Sequence, residues 1–217
     1  MENGNFEQLF IDVFEKTTTS KQRYSANELA CIQETLGFNF PDMLHEFYIL
    51  FGKSKYRINT FFKLLDPSSV TKERGYIIFS EGNLTDVKSK YGVKDDSTEL
   101  DPVIYEFSCD EGDEKIHRTD NRLRCFLSGF ITIAALNAYS IKGCQLEFDV
   151  EKEGCRVFDN YKYIFANSSQ TTFVDPGKVV FITWDDEPGG TGFGMAYTRN
   201  EKDLLAIKND LIKERML

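Results

Sequence analysis

In the N-terminal part of the chain, apolar residues recur with the period of α-helices. The first stripe has the spacing i, i+3, i+4, i+7 and i+8 and predicts an amphipathic helix; it consists of Phe6, Leu9, Phe10, Val13 and Phe14. Ser25, followed three residues later by Glu28, has the form of a capping box and predicts the start of a second helix. Gly37 is expected to end that helix, because glycine readily adopts the left-handed conformation found after a last turn.

A third helix is predicted within residues 37–52, GFNFPDMLHEFYILFG. Pro41 can occupy its first turn, where the missing N–H costs nothing, and Gly52 is expected to supply a left-handed end. The leucine, phenylalanine and tyrosine residues fall on one side of this helix and indicate a core-facing surface. His45 falls on the other side, where we interpret it as a surface histidine and not as a metal ligand.

After this helix the pattern changes to short β-rich segments separated by turn residues. The segments FFKLL, YIIF and VIYEFSC predict strands. In VIYEFSC, the alternation places Val103, Tyr105 and Phe107 on one face, which we expect to be the buried one. An acidic turn follows this strand.

A long apolar helix is predicted next, with Asp120 or Asn121 as its N-cap. Residues 125–141, CFLSGFITIAALNAYSI, carry no charge. This segment is shorter than the roughly 20 residues that cross a bilayer, and it contains several polar side chains. We therefore expect a buried core helix and no membrane association.

The last third of the chain contains further strand patterns and one helix. LEFDV, YKYIF, VVFITW and FGMAYT predict strands, with VVFITW in a central position because it is continuously apolar. Asn200 and Asp203 resemble the start of a C-terminal helix. The fold class is therefore predicted as α+β, with a mixed, mainly antiparallel twisted sheet flanked by helices. Residues 1–142 are expected to form the main domain, and residues 143–217 an extension built onto the same sheet.

Composition narrows the possible functions. The chain has 217 residues, 35 acidic against 26 basic side chains and a formal charge of -9, which argues against nucleic acid or anionic lipid as a partner and favours a basic protein. The start, MENGNFEQLF, lacks the pattern of a signal peptide, so we expect a cytoplasmic protein. Five cysteines without CxxC spacing fit reduced thiols better than a disulfide or zinc framework.

Several of these elements together resemble the SUKH superfamily, which includes the yeast Smi/Knr-type regulators and many bacterial immunity proteins. The resemblance rests on the helix ending in Gly37, the segments Phe40–Asp42, Phe47–Tyr48 and Phe51–Gly52, and the later YIIFSEGN, DPVIYEFSC and RLRCFLSGF. It covers about residues 25–138. The bacterial branch implies an immunity protein that binds a polymorphic toxin, often a nuclease, without doing chemistry. The eukaryotic branch implies a regulatory scaffold.

Acidic residues are concentrated in two segments that could bind a basic partner. Between residues 95 and 114 there are nine acidic residues and no lysine or arginine, and a second acidic group follows Trp184. A nuclease cleft is basic, so these acidic groups could attract it electrostatically during association. Trp184 could then supply an aromatic anchor in the complex. The predicted partner-binding residues are Asp95, Asp96, Glu99, Asp110, Glu111, Asp113, Glu114, Trp184, Asp185, Asp186 and Glu187. Alternatively, the acidic runs are solvated loops and Trp184 is a core residue.

Catalytic chemistry has weaker support in the sequence. The glycines at 189, 190, 192 and 194 match no phosphate-binding motif and are followed by a strand pattern, so a hairpin is predicted there. The two histidines belong to no metal or triad motif, and Cys125 lies in an apolar helix where its thiol would be inert. We expect no enzyme activity, cofactor or metal, although a carboxylate-based hydrolase remains an alternative.

Overall fold

The chain folds into two compact units, each with its own antiparallel sheet. The computed structural model describes residues 6–58, 61–82, 89–110, 113–141, 144–151, 154–166, 169–185 and 190–214. The six-stranded unit comprises Thr18–Ile131, and the five-stranded unit comprises Met1–Thr17 together with Thr132–Leu217. This division differs from the boundary expected at residue 142, because the N-terminal helix belongs to the same unit as the C-terminal strands.

Two helices open the six-stranded unit, α2 (Ala26–Leu36) and α3 (Asp42–Phe51). The capping box predicted for α2 is confirmed: the Glu28 N–H donates to the Ser25 hydroxyl, and the Glu28 carboxylate accepts from the Ser25 N–H. Gly37 ends α2 with a φ of 76°, as expected for a left-handed end. Pro41 is the N-cap residue of α3.

The role predicted for Gly52 is wrong. This residue has a φ of -61° and continues the right-handed conformation of α3. A Cβ atom here would lie 2.5 Å from the Tyr24 ring and 2.5 Å from the Tyr48 carbonyl oxygen. Glycine is therefore required for the close approach of Tyr24, a residue distant in sequence, and not for a turn.

The sheet of this unit has the order β1-β3-β4-β5-β6, with β2 paired to β3. Its strands are β1 (Phe62–Leu64), β2 (Thr71–Glu73), β3 (Tyr76–Gly82), β4 (Ser89–Lys94), β5 (Val103–Asp110) and β6 (Asp113–Arg122). The segments FFKLL, YIIF and VIYEFSC thus contribute strands, as predicted. β6 was not predicted, because its sequence DEKIHRTDNR has no apolar alternation and its position is fixed by pairing with β5.

The buried face predicted for β5 is partly wrong. Ile104 is fully buried, whereas Val103 and Tyr105 are only half-buried. The ladder between β5 and β6 shifts register between Val103 and Tyr105. Such a shift changes which residues face the core, so the alternation continues as expected only from Phe107, which is buried.

Helix α4 (Leu123–Ser140) follows β6 directly. The residues expected to cap it, Asp120 and Asn121, instead lie in β6. The cap comes from a residue distant in sequence: the Arg124 N–H donates to the Asp101 carboxylate at 2.8 Å. Ile131 and Thr132 mark the boundary between the units, so each unit contains one half of α4.

Within the described part of the chain, α4 is the single helix that is long and apolar enough to cross a membrane. Half of its residues are buried in the fold. Leu127 and Phe130 are among its fully buried apolar positions. The apolar run is thus accounted for by packing.

The five-stranded unit contains α1 (Phe6–Phe14), half of α4, five strands and α5 (Glu201–Lys213). The sheet has the order β7-β11-β10-β9-β8, and all its pairs are antiparallel. Its strands are β7 (Gln145–Glu151), β8 (Tyr163–Ala166), β9 (Gln170–Asp175), β10 (Lys178–Trp184) and β11 (Thr191–Thr198). VVFITW is central and α5 starts after Asn200, as predicted. The expectation that these strands extend the first sheet is wrong, because they pair only among themselves in a separate sheet.

Candidate functional site

A groove of about 290 Å³ opens in the six-stranded unit beside the start of α3. Its lining includes the carboxylates of Asp42, Asp95 and Glu99, the exposed Leu100 and one cation, Lys94. Three carboxylates and an exposed apolar side chain against one lysine could accept a basic side chain with a long aliphatic stem.

The entry to α3 forms one wall of the groove. The Phe40 N–H donates to the Gln33 side chain at 2.7 Å, and the Phe40 ring packs against Tyr48 with 5.4 Å between ring centroids. The Tyr48 hydroxyl in turn donates to the Leu65 carbonyl at 2.9 Å. Asp42, the first residue of α3, is exposed beside this rigid wall. The segment with which α3 begins thus positions part of a surface as well as the core.

The opposite wall is the loop after β4, which carries three of the predicted partner-binding residues. Asp95 forms an ion pair with Lys72 at 2.6 Å, and Glu99 forms one with Arg122 at 2.6 Å. Asp96 is exposed and has no hydrogen bond or ion pair with any described residue. The charge of this wall is therefore partly neutralised within the unit.

Leu100 lies in the same loop and lines the groove. It is 81% exposed, so most of its apolar surface is open to a partner. Sequence reasoning had not selected it, because a single leucine in an acidic loop has no periodicity. Leu100 and the neighbouring Asp96 of the same loop are exposed and remain available to a partner.

The other acidic residues of the predicted surface lie at the opposite end of β5. Asp110 and Asp113 face each other at the end of the β5–β6 hairpin, whereas the groove loop leads into Val103 at the start of β5. Eight residues of strand separate the two ends by about 24 Å. The side chains of Asp110, Asp113 and Glu114 and the whole of Glu111 lie outside the described residues. The acidic segment therefore does not form one patch.

The second predicted group lies in the five-stranded unit. Trp184 is half-buried, packs on the core of that unit and donates its indole N–H to the Thr171 hydroxyl at 2.9 Å. Asp185 is exposed and accepts a hydrogen bond from the Thr191 hydroxyl at 3.0 Å. Asp186 and Glu187 lie outside the described residues. These contacts support the alternative in which Trp184 is a core residue.

The glycines near Trp184 have a packing role. A Cβ atom on Gly192 would lie 2.8 Å from the Trp184 ring, and one on Gly194 would lie 2.4 Å from the Phe148 ring. β10 and β11 pair antiparallel with Trp184 opposite Gly192, which confirms the predicted hairpin. Phe193, between the two glycines, points the other way and is 42% exposed. The alternation of small and large residues in TGFGMAYT could have identified it.

Two kinds of reactive group can be assessed in the described residues, the Cys125 thiol and clusters of metal-ligating side chains. Burial raises the pKa of the Cys125 thiol to about 11, with a contribution from the negative charge of Asp101, so the reactive thiolate form is disfavoured. No three His, Cys, Asp or Glu side chains among the described residues come together to hold a metal ion.

Comparison with protein-family models, curated proteins and solved structures gave no significant match for this chain. The resemblance to the SUKH superfamily therefore remains a prediction from the short motifs.

Proposed function

We propose that this chain is an immunity protein of the SUKH type, which binds and neutralises a bacterial polymorphic toxin without catalysis. The motifs over residues 25–138 and the charge of -9 support this proposal. The toxin surface that it binds would be basic, as the cleft of a nuclease must be. The complex would form in the cytoplasm, because five cysteines without CxxC spacing fit a reducing compartment.

The groove is the observation that carries the proposal. Its lining brings the exposed Leu100 together with the exposed carboxylates of Asp42 and Glu99, and Asp96 lies in the same loop as Leu100. An arginine or lysine of the toxin could bury its stem against Leu100 and pair its charged end with a carboxylate. A few such anchors supply most of the binding energy of an interface, and the surrounding charges mainly increase the association rate.

The proposed contact set is smaller than the acidic surface predicted from the sequence. Leu100, which lines the groove, and Asp96, in the same loop, are its main members, because both are exposed and Asp96 has no ion pair with a described residue. Asp95 and Glu99 already have basic partners at 2.6 Å within the unit, so they would contribute less to a complex. The hairpin residues Asp110 and Asp113 are distant from the groove and serve as an internal control.

The test is co-expression of the full chain with the C-terminal domain of the large secreted protein expected from the neighbouring gene. Growth should be rescued, and calorimetry should show one-to-one binding that weakens with salt. Asp96→Lys combined with Leu100→Ser should weaken binding at least about tenfold, or 1.4 kcal/mol. The matched variant Asp110→Lys with Asp113→Lys should change affinity by less than about threefold, because distant rim charges contribute little.

Two results would overturn the proposal as stated. If the hairpin variant weakens binding more than the groove variant does, the site is at the far end of β5. If the neighbouring protein neither binds nor is toxic and several host proteins co-purify instead, a regulatory scaffold is the better interpretation.

A further inference from the structure

We propose that the free edge of β7 accepts an extended, basic segment of a partner protein as an additional antiparallel strand. This surface lies in the five-stranded unit and is independent of the groove, so the two proposals can fail separately. Strand addition supplies affinity through backbone hydrogen bonds and specificity through alternate side chains.

β7 has one edge without a strand. Among the described strands it pairs only with β11, and the register is continuous from Gln145 opposite Tyr197 to Glu151 opposite Thr191. A strand of seven residues at the end of a sheet presents unpaired backbone donors and acceptors along its length.

The orientation of those backbone groups follows from one hydrogen bond. The Thr198 N–H donates to the Cys144 carbonyl at 3.0 Å, so this opposed pair is a hydrogen-bonded one. Hydrogen-bonded and non-hydrogen-bonded pairs alternate along an antiparallel ladder. Even-numbered residues of β7 therefore bond to β11, and the odd-numbered residues direct their N–H and C=O groups to the free edge. The odd-numbered residues are Gln145, Glu147, Asp149 and Glu151.

The same odd-numbered residues carry the acidic side chains. Glu147, Asp149 and Glu151 are exposed and lie on one face of the sheet, about 7 Å apart. None of the three has a hydrogen bond or ion pair with a described residue. Their neighbours on β11 are Met195, Phe193 and Thr191, which carry no charge. The free edge is therefore lined by three carboxylates whose charge is not neutralised by the unit.

The three carboxylates at the free edge of β7 determine which partner segment would fit there. Residues of an added strand that bond to Glu147, Asp149 and Glu151 would also lie directly opposite their side chains, where lysine or arginine is favoured and a carboxylate is destabilising. The residues between them would face the side of Phe148 and Val150, which are buried in the core, and should be apolar. The matching segment alternates basic and apolar residues. A second copy of β7 would place acidic residues opposite acidic residues and does not fit.

The test uses nuclear magnetic resonance of the ¹⁵N-labelled full chain and a synthetic peptide, acetyl-Arg-Val-Arg-Val-Arg-Val-Arg-amide. The amides of Glu147, Asp149 and Glu151 should shift in a saturable manner, with cross-strand contacts to the peptide. The same peptide with N-methylated arginines keeps the charge and loses the backbone donors, so its binding should fall at least about tenfold. An acetyl-Glu-Val-Glu-Val-Glu-Val-Glu-amide peptide should not bind.

Variants of the chain complete the test. Glu147→Lys, Asp149→Lys and Glu151→Lys together should abolish the shifts. A charge-matched control replaces three exposed carboxylates elsewhere and should bind within about threefold of the wild type, since only general attraction is reduced; it combines Glu34→Lys, Asp159→Lys and Glu214→Lys.

Three results would overturn the proposal. The first is the absence of shifts at β7 with millimolar peptide, which would leave the carboxylates as protection against edge pairing. The second is equal binding of the N-methylated peptide, which would show attraction by charge alone. The third is an equal loss of binding in the control variant.

Discussion

Carboxylates in the six-stranded unit and on β7 of the five-stranded unit have different surroundings. In the first unit, Asp101 caps α4, Asp66 caps the 3₁₀ turn Pro67–Ser69, and Glu28 completes a capping box. On β7, the three carboxylates contact no described donor. An acidic stretch is therefore not by itself evidence of a binding surface, because many carboxylates stabilise the fold. Those without an intramolecular role are the better candidates for binding a partner.

Among the variants that test this difference between the units, Asp66→Ala should cause the largest loss of stability. Asp66 accepts hydrogen bonds from the Ser68 N–H at 3.2 Å, the Ser68 hydroxyl at 2.8 Å and the Tyr24 hydroxyl at 3.2 Å. Losing a cap together with a side-chain acceptor should lower the free energy of unfolding by about 2 kcal/mol, measured by urea denaturation. Asp159→Ala, at an exposed position of the other unit, should cost less than about 0.5 kcal/mol. Equal losses of stability in the two variants would contradict the structural role given to Asp66.

A smaller loss of about 1 kcal/mol is expected for Asp101→Ala, because an N-cap acceptor of α4 is removed. Asp101→Asn keeps an acceptor oxygen and should retain most of the stability. Thermal and urea denaturation of both variants would measure the difference. An unchanged stability of Asp101→Ala would show that the long-range cap is not needed.

The capping box of α2 should make the stability of the fold depend on pH in the acidic range. Hydrogen bonds from Lys53 and then Ser25 lower the pKa of Glu28 to about 2, from about 4.5 in the unfolded chain. Because its pKa is lower in the folded chain, the ionised Glu28 carboxylate stabilises the fold. This contribution is complete above pH 4.5 and is lost as the pH falls toward 2. Glu28→Gln should therefore give a flatter decline of stability between these pH values than the wild type. Identical slopes in pH-dependent denaturation would rule this out.

The smallest effect on stability is expected on β7. Glu147→Gln, Asp149→Asn and Glu151→Gln together should change the free energy of unfolding by less than about 0.5 kcal/mol, since no ion pair is lost. Denaturation of this triple variant beside the wild type would measure it. A loss above about 1 kcal/mol would give these carboxylates a structural role and remove the contrast between the units.

Local signals in the sequence predicted local structure well. The capping box at Ser25 and Glu28, the left-handed Gly37 and the helix start at Asn200 each depend on residues within one turn of one another. The strand patterns LEFDV and VVFITW were correct for the same reason, because their alternation or continuity reflects burial of that strand alone.

Features that depend on distant residues could not be predicted from the sequence. The cap of α4 is Asp101, which lies 23 positions before the N–H that it accepts from. Gly52 is required by Tyr24, and β6 is polar and held by β5. The candidate site shows the same limit: Asp95 and Glu99 line the groove and Asp96 lies in the same loop, whereas the hairpin acids grouped with them from the sequence lie at the other end of β5. The edge position of β7 follows only from the sheet order, and the exposure of Leu100 only from the fold of its loop.

The shared helix α4 has a consequence for where this chain can be truncated. The boundary between Ile131 and Thr132 divides α4 into two pieces of nine residues. Isolated helices shorter than about 12 to 15 residues are marginal in water. A gene fragment ending at this boundary would leave each product with a frayed stub where a packed helix should be. Expression of either unit alone would therefore leave half of α4 without the turns that continue it, so we expect lower stability than in the full chain.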